Sequence, residues 1–111
     1  MALTLIYRAN IFVVNRSRPT LQMGRDDSND IVIVSLFASR LHARVEERDG
    51  QFVLTDLSSN GTFLMPDESE SEVRLRQEEA VLSGRGRLGL GKSAAIHGDH
   101  SVRFALEAET A

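Results

Sequence analysis

Apolar and polar residues alternate in short runs along this chain, and no stretch repeats apolar residues at the spacing of an amphipathic helix. The alternation is clear at residues 41–45 and again at residues 102–106. A period of two is the pattern of a strand with one face buried and the other in water. The pattern therefore predicts a chain built almost entirely from β-strands.

Turn-forming sequences such as DDSND, RDG and SSNG separate the predicted strands at near-regular intervals. The segment RQEEAVL has the composition of a helix but is too short to form one alone. Many short strands without a convincing helix predict an all-β fold, a two-sheet antiparallel β-sandwich of about 10–11 strands. The segments with strand character are Leu3–Tyr7, Ile11–Val14, Thr20–Met23, Ile31–Ile33, 41–45, Gln51–Asp56, Thr62–Leu64, Val73–Arg76, Arg87–Leu90 and 102–106.

The size and composition of the chain exclude several classes of protein. A chain of 111 residues can bury a core without staples, and the absence of cysteine excludes disulfides, thiol nucleophiles and thiolate zinc sites. A net charge of −3 does not favour nucleic acid, and no apolar run approaches the roughly 18 residues of a membrane span. The opening segment is a poor secretory signal, because Arg8 and Asn10 interrupt it. We expect one cytoplasmic domain, residues 1–111, with neither nucleic acid nor membrane as a partner.

The stretch GRGRLGLGKS, residues 84–93, matches both the dinucleotide-binding and the phosphate-loop patterns. Both patterns need a buried parallel strand before the glycines and a long helix after them. The remainder of the chain after Ser93 instead predicts a turn and one antiparallel strand. We therefore expect a twisted, arginine-rich hairpin in which glycine permits positive φ or close strand approach. A nucleotide-binding enzyme that uses Lys92 is the rival interpretation.

Three blocks, GRDDSNDI at 24–31, SRLHA at 39–43 and DLSSNGTF at 56–63, place polar residues at predicted strand ends. Together, in this order and spacing, they resemble the forkhead-associated (FHA) domain. The segment VRLRQEEAVLSGRGRLGLG resembles the second half of FHA regions in bacterial multidomain signalling proteins. The resemblance implies a β-sandwich of the FHA/SMAD type whose loops at one end bind phosphothreonine peptides, and such domains commonly sit inside longer signalling proteins.

A phosphothreonine carries about −1.5 to −2 charge and three acceptor oxygens, so its receptor needs cationic, hydroxyl and amide donors that converge. By the resemblance, Arg25 supplies a guanidinium fork and Ser39, at the start of a strand, supplies a hydroxyl. Arg40 adds a second cation and Ser59 lines the same site. Asn60 can clamp the main chain of the bound peptide through its amide.

Three further residues are expected to shape the binding loops. Gly24 allows the loop after its strand to turn and approach its neighbour, and Gly61 completes an Asn-Gly turn between strands. The alternation places His42 on the strand face opposite Leu41, Ala43 and Val45. A base or metal ligand is the other interpretation of His42, but the resemblance implies that it bonds to neighbouring loop backbone.

The residues therefore predict a phosphothreonine-dependent protein interaction module in signal transduction, with its partner in another protein or in the same polypeptide. We expect no catalytic residue and no cofactor. No metal is expected either, since the cluster HGDH at 97–100 offers too few ligands. The segment VSLFA at 34–38 is more apolar than the resemblance would suggest. Leu36 and Phe37 either contact a partner or pack against the sandwich edge. The alternative function for the chain is a phosphate-independent assembly or regulatory domain of a larger enzyme such as a nucleotide cyclase.

Overall fold

A computed structural model of the chain describes residues 1–69 and 71–108. The regular structure in this part of the chain is almost entirely β-strand, as the alternating pattern predicts, with one four-residue helix, α1 (Ala94–His97), followed by a 3-10 turn. The strands are β1 (Ala2–Tyr7), β2 (Asn10–Val14), β3 (Thr20–Gly24), β4 (Ile31–Val32), β5 (Ala43–Arg48), β6 (Gln51–Asp56), β7 (Thr62–Pro66), β8 (Val73–Leu75), β9 (Glu79–Leu82), β10 (Arg85–Leu90) and β11 (Val102–Glu107).

The strands form two sheets that pack face to face, which confirms the predicted sandwich. One sheet has six strands in the order β2-β1-β11-β10-β7-β8, and the other has five in the order β4-β3-β5-β6-β9. The pairing of β3 with β4 is parallel, unlike the antiparallel arrangement that the sequence predicts. The intervening segment turns back along β3, where the Asp30 N–H bonds to the Gln22 carbonyl and the Ile33 N–H to the Gly24 carbonyl.

Apolar side chains from the inner faces of both sheets make one core. Leu5 and Leu88 from the six-stranded sheet and Met23, Val45 and Leu54 from the other are fully buried within it. Burying a side chain of this size stabilises the fold by about 1.5–3 kcal/mol relative to exposure. The core fixes the sheets and so sets the positions of the loops at their ends. In the described part of the chain, no helix has the length and apolarity to cross a bilayer.

The second half of the segment RQEEAVL forms a strand, β9, that the sequence analysis does not predict. Strand β9 pairs with β6 at the edge of the five-stranded sheet, with Leu82 opposite Phe52. Both of these side chains are buried, whereas Val81 is half exposed. Sheet pairing and burial of Leu82 therefore outweigh the helical propensity of the segment.

The chain after the glycine-rich stretch forms the antiparallel strand that the sequence predicts, β11, while the stretch itself contains β10, a central strand of the six-stranded sheet. It pairs antiparallel with β11 on one side and with β7 on the other. A Cβ at Gly86 would lie 2.6 Å from the Phe104 ring, so glycine permits close packing here. The short helix that follows is already capped, because the Glu72 carboxylate accepts bonds from the Ser93 hydroxyl and the Ala94 N–H. This is not the strand and long helix that a phosphate loop requires.

Candidate functional site

Three loops meet at one end of the sandwich: residues 25–30, residues 33–42 and residues 57–61. The register explains why, since Met23, Ala43 and Asp56 lie side by side where β3 ends, β5 begins and β6 ends. Backbone hydrogen bonds then join the first two loops, from the Arg25 N–H to the Ser39 carbonyl at 2.9 Å and from the Asp26 N–H to the Arg40 carbonyl at 3.1 Å. These bonds hold Arg25 beside the segment that carries Ser39 and Arg40.

Arg25 has an exposed side chain that is anchored at one point. Its Nε donates to the Ala38 carbonyl at 3.1 Å. A guanidinium has five N–H donors, so the terminal nitrogens keep donors for a ligand. Arg25 and the exposed Arg40 line a shallow cleft of roughly 370 Å³ together with Asp26 and Asp27. The cleft therefore combines two cations with two carboxylates, and the acids moderate its attraction for an anion.

Ser39 lies in the loop before β5 and not at the start of a strand, because β5 begins at Ala43. Its hydroxyl oxygen accepts a hydrogen bond from the Ser59 N–H at 3.3 Å. A hydroxyl that accepts one bond still has its own proton to donate, so Ser39 can reach an incoming acceptor oxygen. The structure thus brings Ser39 and Ser59 together from loops that lie 20 positions apart in the chain.

Asn60 lies at the tip of the 57–61 loop with an exposed side chain. Its side-chain Nδ2 donates to the Phe37 carbonyl at 3.2 Å. Its backbone carbonyl accepts two bonds from the Arg74 guanidinium, at 2.6 and 3.1 Å. Arg74 also stands over the Phe63 ring, 5.2 Å from its centroid. The sequence analysis missed Arg74, whose position depends on the pairing of β7 with β8.

His42 is fully buried beneath these loops. Its Nδ1 accepts the Ser39 N–H at 2.9 Å, and its Nε2 is 2.9 Å from the Gly61 carbonyl oxygen, to which it donates. Burial lowers the pKa of His42 below its usual value and outweighs the bond to Gly61 and the charge of Asp56, which raise it. The ring is therefore neutral and joins two of the loops. The predicted alternation is wrong at this point, because Leu41 is 41% exposed while His42 is buried with Ala43 and Val45.

The two glycines lie where a side chain would collide with a neighbouring loop. A Cβ at Gly24 would overlap the Arg40 carbonyl oxygen and lie 2.9 Å from the His42 backbone nitrogen. Gly61 has a φ of 92° and would bring a Cβ within 3.0 Å of the Leu75 carbonyl. The loop that ends at Gly61 is not a hairpin turn, since β6 and β7 belong to different sheets.

Asp56 is a buried carboxylate that organises the 57–61 loop from below. Its Oδ1 accepts from the Ser58 hydroxyl at 2.6 Å and the Thr62 hydroxyl at 2.7 Å, and its Oδ2 accepts from the Gln77 N–H at 2.9 Å. Burial would raise the pKa of Asp56, but these hydrogen bonds together lower it. The carboxylate therefore stays charged and holds the loop in one shape. The block DLSSNGTF contains Asp56, Ser58 and Thr62, but the sequence alone gave no sign that they bond to one another.

In the apolar segment beside the cleft, Leu36 is accessible to a partner, whereas Phe37 packs partly against the sandwich edge. Leu36 is 90% exposed, and with Val32 and Val34 it lines a recess of roughly 350 Å³ that also borders Arg25 and Asp27. Phe37 is only half exposed, because Gly91 packs against its backbone and the Lys92 ammonium lies 4.6 Å from its ring centroid. An extended ligand held at the cleft would therefore meet an apolar surface at Leu36.

The cluster at 97–100 shows no metal-site geometry where it can be followed. His100 Nδ1 is 3.2 Å from the Tyr7 hydroxyl, and the side chain of His97 lies outside the described residues. Within the described portion of the chain, no three histidine, aspartate or glutamate residues come together as metal ligands would.

Comparison with known proteins yields one curated relative and several solved structures. The relative is the oxoglutarate dehydrogenase inhibitor of Corynebacterium diphtheriae, 38% identical over 72 residues, which are 64% of this chain and 50% of that protein. The chain thus spans about half the length of the curated relative. Mycobacterium tuberculosis EmbR in complex with a low affinity phosphopeptide superimposes with a TM-score of 0.72 and 25% identity, over 99% of this chain and 26% of that one. The MEK1 FHA domain in complex with the HOP1 pThr318 peptide superimposes with a TM-score of 0.71 and 18% identity, over 96% and 97% of the two chains.

The family match covers the three loops and the strands that carry them. The profile of the family described as FHA domain matches residues 21–85, more than half of the chain. That range includes every residue of the candidate site, from Gly24 to Arg74. The sequence blocks, the two-sheet fold and this match agree, and the chain belongs to the FHA domain family.

Proposed function

We propose that this chain is a phosphothreonine-dependent protein interaction module that works in signal transduction. The observation that carries the proposal is the bonding of Arg25 to the 33–42 loop, through its N–H to the Ser39 carbonyl and its Nε to the Ala38 carbonyl, which brings a guanidinium beside the segment that carries the Ser39 hydroxyl. Family membership and the phosphopeptide complexes of similar structures support it. The ligand is a phosphothreonine segment of another protein or of the same polypeptide.

Each site residue has a distinct part in this proposal. The terminal nitrogens of Arg25 and the hydroxyl of Ser39 bind the phosphate, and Arg40, which lines the same cleft as Arg25, adds a second positive charge. Ser59 lines the phosphate site, and the Asn60 amide holds the peptide main chain. Charge-assisted hydrogen bonds contribute roughly 1.5–3 kcal/mol each. Two or three of them, after the cost of association, correspond to a dissociation constant in the micromolar range, about 8 kcal/mol.

Gly24, His42 and Gly61 support the site without touching the ligand. Gly24 lets the β3 end pass close to the 40–42 backbone, and His42 and Gly61 join the second loop to the third. A rigid receptor loses less conformational entropy on binding, so these contacts favour affinity. In this proposal the module binds and does not catalyse. The match to a protein named as an inhibitor of an enzyme supports a regulatory role.

A phosphate-independent assembly or regulatory domain of a larger enzyme, such as a nucleotide cyclase, is the second candidate, favoured by the exposure of Leu36 beside the recess. Titration with a degenerate phosphothreonine peptide library and its unphosphorylated twin separates the two. The proposed function predicts that only the phosphorylated library binds. Equal binding of both libraries would contradict the proposed function. A stable dimer or partner complex that Leu36→Ser abolishes and Arg25→Ala leaves intact would support the second candidate.

A further inference from the structure

The outer face of the six-stranded sheet carries two arginines on neighbouring strands. Arg87 of β10 stands directly opposite Arg103 of β11, and Arg103 stands opposite Ile6 of β1. The residues on either side of both arginines in their strands are buried, so the alternation of the strands directs the arginine side chains outward. Those inward residues are Gly86, Leu88, Val102 and Phe104.

A third arginine joins this pair at the end of β1. Arg8 follows Tyr7 with a φ of 57° and lies over the Tyr7 ring, 5.8 Å from its centroid. Arg8, Arg87 and Arg103 line one cleft of roughly 640 Å³ with Ile6, Asp99 and Ser101. This set shares no residue with the cleft that contains Arg25 and Arg40.

The charges in this cleft are unbalanced. It holds three guanidinium groups against the single carboxylate of Asp99. In the described ranges, the cationic partners of the ion pairs are Arg44, Arg48 and His42. The three arginines of this cleft take part in none of these pairs. Like charges directly opposite on neighbouring strands destabilise a sheet. Within the fold, Arg8 lies over the Tyr7 ring and Arg87 bonds weakly to the Met65 sulfur, but neither contact neutralises the positive charge, whereas a bound anion would reduce the repulsion.

Apolar side chains continue the row of arginines and indicate what kind of anion fits. Ile11 of β2 stands opposite Ile6 and is 67% exposed, and Met65 of β7 stands opposite Arg87. The row across the sheet is therefore apolar, apolar, cationic, cationic, apolar. Nucleic acid would leave the isoleucines without apolar partners, and the net charge of −3 opposes a long polyanion. Peptides offer carboxylates and apolar side chains together.

We propose that this arginine face, made by Arg8, Arg87 and Arg103 with Ile6 and Ile11, is a second docking surface that binds an acidic segment of a partner protein with interspersed apolar residues. The carboxylates of the segment bind the arginines, and its apolar residues cover the isoleucines. This surface does not depend on the phosphothreonine site, so the module can hold two segments at once. Two linked contacts raise affinity without strengthening either one.

Fluorescence anisotropy with a labelled peptide rich in glutamate and leucine tests this surface. The proposal predicts that the peptide binds, that its glutamine counterpart does not, and that a DNA duplex binds more weakly than the peptide. The double variant R87Q/R103Q should weaken binding about tenfold, since two partly exposed ion pairs are lost. The double variant R16Q/R76Q makes the same charge change at two exposed arginines outside this face and should leave binding unchanged, and R87K/R103K should retain most of it.

Several results would overturn the proposal: equal binding of the glutamine peptide, no binding, tighter binding of DNA, or equal loss in R87Q/R103Q and R16Q/R76Q. Thermal unfolding gives an independent measurement. Arg103→Gln removes the repulsion and should raise Tm or leave it unchanged at low salt, and a clear fall in Tm would mean that the arginines serve the fold instead. Arg25→Ala should bind the acidic peptide as well as the wild type, which separates this surface from the phosphothreonine site.

Discussion

Nδ1 of His42 accepts a hydrogen bond from the backbone N–H of Ser39 across 2.9 Å. An acceptor nitrogen carries no proton, so the buried ring is neutral and its Nε2 donates to the Gly61 carbonyl. Protonation would place a second N–H against that of Ser39 and break the contact. The proposed binding loops therefore keep their arrangement only while the His42 ring is neutral.

Acid should destabilise the protein through His42. Its pKa is lowered in the folded state, chiefly by burial, so below about 6.5 the unfolded chain takes up a proton that the folded chain does not. The free energy of unfolding should fall as pH drops from about 6.5 towards the folded pKa, by at most about 1.4 kcal/mol per pH unit. Urea unfolding between pH 7 and 5 measures this change. His42→Asn should be less stable, but its free energy of unfolding should change less with pH between 7 and 5. Parallel pH curves for the variant and the wild type would contradict the assignment of this dependence to His42.

Replacing Gly24 with alanine should reduce both stability and phosphopeptide binding. A Cβ there would overlap the Arg40 carbonyl oxygen, so the backbone of the 39–42 segment must move. We expect a loss of about 1–3 kcal/mol in the free energy of unfolding, together with weaker binding. Gly50→Ala provides the control, since Gly50 has a φ of 84° with open space around it and the variant should lose about 1–2 kcal/mol without affecting binding. Equal affinity of the Gly24 variant and the wild type would show that the loops do not need this close approach.

Arg74 should matter more for binding than for folding. Its guanidinium makes two hydrogen bonds to the Asn60 carbonyl on the surface of the protein, so Arg74→Ala frees the loop tip but exposes little core. We expect phosphopeptide affinity to fall roughly threefold to tenfold and the free energy of unfolding to change by less than about 1 kcal/mol. Arg76→Ala, on the same stretch of chain, is the matched control. Indistinguishable affinities for the two variants would remove Arg74 from the site.

Asp27 should weaken the binding of a phosphorylated ligand. It lies in the same cleft as Arg25 and Arg40 and also borders the apolar recess, so its carboxylate opposes an incoming phosphate. Asp27→Asn should raise phosphopeptide affinity about twofold to fivefold at low salt, and the gain should shrink at high salt. Asp49→Asn, in the β5–β6 turn, should leave affinity unchanged. A weaker complex with Asp27→Asn would mean that this side chain contacts the peptide directly.

The sequence predicted the fold well because period-two alternation and turn residues act locally. Ile31 illustrates this, because it lies in a segment with strand character and enters the core. The nearby Asn29 amide shows the limit, since it bonds to Asp26 within its own loop but also to Arg40 in the next loop. Local patterns failed where long-range pairing decides the outcome. β9 is a strand because it meets β6, and Leu41 turns outward because the loop extends to His42 before β5 begins.

Some residues of the candidate site could likewise be predicted from the sequence, and others could not. Arg25, Ser39 and Asn60 stood out because the spacing of their blocks resembles a known family. Arg74 and Gln77 did not, since their contacts with Asn60, Asp56 and Ser58 cross between elements that only the folded sheets bring together. The parallel pairing of β3 with β4 could not be predicted either, because the alternating pattern indicates which residues are buried but not which strands are neighbours.

Calorimetric titration of a single phosphothreonine peptide, chosen from the library, into the wild type and Arg25→Ala tests the central claim most directly. We predict a micromolar complex with the wild type, no complex with the unphosphorylated peptide, and a loss of roughly 10-fold to 100-fold in Arg25→Ala. Arg16→Ala removes another exposed arginine and should bind like the wild type. Undiminished binding of the phosphopeptide by Arg25→Ala would contradict the claim that this guanidinium binds the phosphate.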